Sequence, residues 1–338
     1  MIFQPAIIAL LLAGGISLLM LLAAAPFALQ LIRRWDIASG SEQQLRLERL
    51  TYLFSTLVAF VCLVQLLATL LFVFNADKMS VMFVGAMCAV GALNVNAFGF
   101  PALYVQLALF FLAVLWLAIN HVDTRARDYP LVRLKYALLL ASIPLFALGL
   151  YLQLQYFLGL KADVITSCCG SMFSEQADTL ASEVTALDAR PAMLIFYAAL
   201  GVSIALSIWH WLGRGPASGQ AAGLLTGLAA LGGLVAALAG ILAFVSLYIY
   251  EHPHHHCPFC ILKPDYHYQG YALYLPLFTG AAAGMSAGVL RLLSRRPGLA
   301  RIIDATSRPL AGVAAVGFGL FAAVATGMIW RSNQMLIG

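Results

Sequence analysis

Two cysteines separated by two residues, Cys257 and Cys260, stand in the stretch EHPHHHCPFCILKPDYHYQG at 251–270, beside His252, His254, His255, His256 and His267. Thiols at this spacing either close a small disulfide or clamp one soft metal ion. The motif precedes a long apolar run. A helix start and a protonated neighbour such as His256 both favour the thiolate, which is the nucleophilic and metal-binding form. Pro258 suits a first helical turn, where its missing N–H is not needed.

Four further cysteines complete the set. Cys168 and Cys169 are adjacent. Disulfide geometry prefers α-carbons roughly 4.4–6.8 Å apart, so a bond between neighbours is strained. Two productive uses remain for this pair: exchange with Cys257 or Cys260, or metal binding. Cys88 is then an odd thiol, open to service as a resolving cysteine, a metal ligand or a buried free thiol. Cys62 falls within an apolar run and reads as a small buried hydrophobe. Met79, Met82 and Met87 flank Cys88, and Met172 follows the cysteine pair. Thiolate, thioether and imidazole together favour copper(I), with zinc next. The candidate metal ligands are Cys88, Cys168, Cys169, Cys257, Cys260, His254, His255 and His256.

The elements that must position these groups are membrane spans. Of 338 residues, 62% are hydrophobic and 10% charged, against about 25% charged in a soluble domain. The chain reads as an all-α integral membrane protein, a polytopic bundle of about eight transmembrane helices. The spans are expected near 5–32, 51–74, 102–120, 137–159, 191–212, 221–250, 271–292 and 310–330. The formal charge of +5 does not indicate nucleic acid, because the basic residues sit between spans. Residues 5–32 lack a basic n-region before them and read as an uncleaved first span. Few ionisable groups lie within the spans, which argues against a proton pump or ion channel. His210 alone is too few for a transmembrane b-type haem.

With eight spans, connections 33–50, 121–136, 213–220 and 293–309 share one side. Both termini and loops 75–101, 160–190 and 251–270 share the other. The first side carries fourteen Lys and Arg and the second five, which makes the first cytoplasmic. Five of the six cysteines then lie on the extracytoplasmic face, where disulfides persist. Reading 81–100 as a ninth span would leave eight basic residues inside and eleven outside. The segment 81–101 is therefore expected to dip into the outer leaflet, packed against the bundle. The whole chain, 1–338, reads as a single membrane domain, with two four-helix halves, 1–159 and 191–330, as an alternative division. Small residues at Gly280, Gly284 and Gly288 predict close helix packing.

With CPFC at the outer end of a span and further cysteines in outer loops, the chain resembles membrane thiol oxidoreductases of the DsbB and vitamin K epoxide reductase type. The resemblance covers about thirty residues. It implies a CxxC at Cys257 and Cys260 near a membrane quinone, with Cys168 and Cys169 as the loop shuttle. The chain departs from those families in its eight spans and its adjacent loop pair. Tyr271 and Tyr274, at the outer boundary, would wall a quinone pocket or form an interfacial aromatic belt. The expected function is thus thiol–disulfide redox chemistry on the outer face of a bacterial inner membrane, with Cys257, Cys260, Cys168, Cys169 and His256 as the catalytic set. The alternatives are copper or zinc handling by the same groups, and a non-catalytic subunit whose disulfides brace loops. A periplasmic thiol protein, a metal carrier or other subunits would be the partners, beside the lipid bilayer.

Overall fold

The computed structural model describes residues 3–161, 166, 188–213, 219–253, 255–296 and 298–333. Among them the structure is helical, with no strand. Eight helices are long and apolar enough to cross a membrane. They are α1 (Pro5–Arg34), α2 (Glu42–Met79), α4 (Gly99–Arg125), α5 (Val132–Leu158), α6 (Ala189–Leu212), α7 (Gln220–Tyr250), α8 (Gln269–Leu292) and α9 (Ala300–Arg331). Each exceeds the roughly 20 residues that a bilayer requires, so the chain is a multi-pass membrane protein. The stretch after α2 forms no spanning helix. It holds a 3-10 turn at Ser80–Met82 and the short α3 (Ala89–Leu93), every residue of which is buried.

α2 starts nine residues before the expected span, and α9 ten. The added turns, EQQLRLERL and ARIIDATSRP, are polar. Hydropathy marks the part of a helix that lipid covers, whereas backbone hydrogen bonding continues beyond it.

The chain divides into two compact units. The first comprises Met1–Ala76, Val95–Ala162 and Arg295–Ile302. Here α5 packs against both α1 and α4. Phe27 stacks on Phe54 with ring centroids 4.5 Å apart and meets Tyr136 edge-on at 5.5 Å. Cys62 is buried in this apolar core, where a thiol acts as a small hydrophobe. Gln65 donates to Gln106, joining α2 to α4. Lys135 and Asp123 form an ion pair at 2.8 Å with both side chains fully buried. Asp123 also accepts the Leu131 N–H, and Lys135 donates to Asn120. Charges removed from water need such additional partners.

The second unit comprises Asp77–Asn94, Asp163–Ser294 and Ile303–Gly338. Helix α8 is its axis. A Cβ placed on Gly288 would stand 2.7 Å from the Gly227 Cα of α7, and one on Gly317 of α9 would stand 2.7 Å from the Gly280 Cα. Glycine is required because the backbones themselves touch, and such approach is how helices associate where no water can be expelled. Near the α8 C-terminus lies a buried polar network. Arg291 pairs with Asp304, which also pairs with Arg308 at 2.8 Å. Arg291 Nε donates to His210 Nε2 at 3.1 Å. His210 Nε2 is therefore an acceptor, Nδ1 carries the proton, and Nδ1 faces Thr226 Oγ1 at 3.2 Å.

Helix α7 contains a π turn at Ile241–Val245. The Ser246 N–H bonds back five residues to the Ile241 carbonyl. That leaves the Leu242 carbonyl, its ordinary i−4 partner, open to another donor.

Candidate thiol centre

Two turns of the second unit carry the reactive side chains. After α7, Glu251 takes a left-handed conformation with φ of +50° and ends the helix. The chain then runs through CPFC into a 3-10 turn at Cys260–Leu262 and a second at Pro264–Tyr266. The sequence pattern predicted that CPFC would enter the first turn of the next span. Instead α8 begins nine residues after Cys260, because Pro264 and the left-handed His267 and Tyr268 hold the chain out of helix. The thiols therefore do not sit on the N-terminal amides of α8. Gly270 lets the turn lie against the helix start, since a Cβ there would stand 3.0 Å from the Ile261 carbonyl carbon.

The second turn precedes α3. Gly85 has φ of +84°, and a Cβ there would lie 2.2 Å from the Thr166 carbonyl oxygen. The Thr166 N–H bonds the Val84 carbonyl at 2.9 Å. Three residues on, Cys88 adopts extended backbone immediately before α3.

These turns bring Cys88, Cys257 and Cys260 together, with all three sulfurs within 4.8 Å of one another. The Cys88 and Cys257 Sγ atoms are 3.2 Å apart. Relative exposures are 0%, 2% and 4% for Cys88, Cys257 and Cys260. All three are reduced. The Cys257 thiol is held well below its usual range, chiefly by the hydrogen bond from Cys260, then by that from Cys88 and by the Phe259 and Cys260 N–H groups. Cys260 is driven the other way, first by the proton it gives to Cys257, then by Cys88 and by burial. Within the cluster the thiolate is thus favoured on Cys257 and the proton on Cys260.

Aromatic side chains brace the loop. Tyr250 donates to the Cys257 carbonyl and stacks on His255 at 4.0 Å. Tyr274 donates to the Pro258 carbonyl at 2.6 Å. Tyr271 stands by Tyr268, with ring centroids 6.2 Å apart. His256 Nδ1 lies 2.7 Å from the Leu242 carbonyl left open by the π turn. A carbonyl only accepts, so Nδ1 carries a proton.

The structure thus assembles Cys257, Cys260 and Cys88, whereas the His255 ring lies on Tyr250 and the His256 ring on the Leu242 carbonyl, outside that group. Cys168, Cys169 and His254 lie outside the described residues. Sequence reasoning could not rank Cys88 among its uses, because it is 169 residues from Cys257. It also passed over Asp77. Burial raises the Asp77 carboxyl above its usual range, opposed by the Lys263 charge and the Ala89 N–H. A carboxylate at the end of a span was the available signal.

In searches against protein families, curated proteins and solved structures, the chain matches none of them.

Proposed function

We propose that this multi-pass membrane protein binds a soft metal ion, copper(I) ahead of zinc, through Cys88, Cys257 and Cys260. The observation that carries this reading is the convergence of three buried sulfurs within 4.8 Å. Sulfurs each about 2.3 Å from one ion stand about 3.8–4.0 Å from one another, which this cluster reaches with small side-chain adjustment. A thiol that attacks a protein disulfide has to be accessible, and these are not. Binding converts Cys260 and Cys88, which both donate to Cys257, from thiol to thiolate, so two protons leave as the ion arrives. His256, and Cys168, Cys169 and His254 outside the described residues, are candidates for a further ligand. The excess of Lys and Arg in the alternate loops supports an extracytoplasmic centre with both termini on that side, in a bacterial cytoplasmic membrane, with a metal carrier as the partner.

The test is copper and zinc analysis of full-length protein purified in detergent and loaded anaerobically. One copper(I) per chain, lost in Cys88→Ser and in Cys257→Ser, supports the reading. Retention of metal by the Cys88/Cys257/Cys260 triple serine variant overturns it.

A second reading is thiol–disulfide exchange linked to a membrane quinone near Tyr271 and Tyr274. It is favoured by the 3.2 Å Cys88–Cys257 contact and by the split protonation of Cys257 and Cys260. Quinone reduction that requires Cys257, in protein free of metal, would select it.

A further inference from the structure

We propose that the second unit carries a phospholipid site in the leaflet away from the thiol centre, with an acyl chain along α9 and an anionic headgroup on Arg308. The site is independent of the metal reading and uses none of the groups of the thiol centre.

An open groove of about 590 Å³ runs along α9. Pro309, Gly312, Val316 and Leu320 line it from that helix, at a spacing that puts them on one face. Trp211 of α6 and Pro276 of α8 line it from the neighbouring helices, and the lining is almost wholly apolar. From Pro309 to Leu320 the helix rises about 16 Å, at about 1.5 Å per residue. One leaflet of the hydrocarbon core is about 15 Å thick. Val316 and Leu320 are more than half exposed. In a bilayer that exposure is to lipid, and a concave apolar strip as long as a leaflet suits one acyl chain.

The polar end of the groove selects the headgroup. Arg308 precedes Pro309 and stands one turn before Gly312, at the mouth of the groove. Helical side chains lean toward the N-terminus, which here directs the guanidinium toward the membrane surface. Asp304 pairs with Arg308 at 2.8 Å and also with Arg291. Among the described residues no second carboxylate pairs with either. His210 adds no charge, because its Nε2 accepts from Arg291. Two guanidinium groups and one carboxylate leave one positive charge over. Arg308 Nε has no hydrogen-bond partner among the described residues, and a quarter of the side chain is exposed. The guanidinium fork has five N–H donors in a geometry that matches phosphate, and Asp304 orients it while taking only part of it. Trp211 completes the mouth. Three indole atoms, Nε1 among them, lie 3.2 or 3.3 Å from where a Cβ on Gly312 would stand. An indole suits this boundary, being apolar in body and a donor at one edge. A zwitterionic lipid would bring an ammonium that the uncompensated charge repels, whereas an anionic lipid brings none. One basic residue near a membrane surface is worth a preference of about fivefold.

The test titrates full-length protein, delipidated in detergent, with phosphatidylglycerol or with phosphatidylethanolamine of the same acyl chains. Native mass spectrometry reads the first lipid bound. Wild type should bind the first phosphatidylglycerol about fivefold more tightly than the first phosphatidylethanolamine. Arg308→Gln should lose that preference, and Arg308→Lys, which keeps the charge, should retain it. Val316→Trp fills the groove from an exposed position and should weaken the first lipid of both kinds. Arg308→Gln also takes a partner from Asp304, so Val316→Trp decides the matter if that variant fails to fold. Equal binding of the two lipids by wild type, an undiminished preference in Arg308→Gln, or unchanged binding in Val316→Trp would overturn the site. A lipid-free wild-type dimer that Val316→Trp converts to monomer would also overturn it, by giving the groove to a second copy of the chain.

Discussion

Cys257 and Cys260 have opposite preferences for a proton, and this sets how the centre responds to pH. An unperturbed thiol titrates near pH 8.5. Cys257 is shifted down, so its contribution to stability is fully present above that value and is lost as pH falls through its folded pKa. Cys260 is shifted up, so its contribution is fully present below about pH 8.5 and is lost as pH rises through its folded pKa. Metal-free protein is therefore expected to lose stability as pH rises above about 8.5, and the Cys260→Ser variant to lose less, as followed by thermal unfolding in detergent. Metal affinity runs in the opposite direction. The protons on Cys260 and Cys88 must leave, so affinity should rise by about tenfold per pH unit for each proton released, with one proton fewer in Cys260→Ser. Competition titrations at several pH values check the slope. The CxxC spacing made these two residues legible in the sequence. The role of Cys88 was not, because a contact across 169 residues leaves no local pattern.

Helices and turns decide whether the side chains meet. The π turn of α7 inserts one residue relative to a regular helix and frees the Leu242 carbonyl for His256. Deleting Ala243 should restore ordinary helical bonding there, reoccupy that carbonyl and leave His256 Nδ1 without its acceptor. The expected outcome is a protein that still inserts in the membrane but binds metal weakly, as read by copper analysis of the purified variant. Gly85 is a sharper case. Alanine there would need a left-handed backbone and a Cβ 2.2 Å from the Thr166 oxygen. Such strain costs about 1–3 kcal/mol, so Gly85→Ala should lower the thermal midpoint and make Cys88 reactive towards an alkylating agent. Apolar runs revealed the span helices themselves. The π turn was hidden, because nothing in ILAFV departs from the apolar composition of the rest of the span.

At the scale of the molecule, hydropathy revealed all eight candidate spans, since lipid imposes a length on every helix that crosses it. The tight helix junctions of the second unit were also readable from the spacing of Gly280, Gly284 and Gly288. The buried Asp123–Lys135 pair was missed because each residue lies near the end of an apolar run, where a solvated charge is ordinary. Removing one partner should cost about 3–5 kcal/mol, whereas replacing both by apolar residues should recover most of that. Thermal unfolding of Lys135→Met beside the Asp123→Leu/Lys135→Met double variant tests the difference. The glycine junctions have one more consequence. They adhere through short-range dispersion between backbones, with no ordered solvent to liberate. Chilling, which weakens cohesion in water-excluding cores, thus has little hold on them, and the loop that leads into α8 keeps its support in the cold.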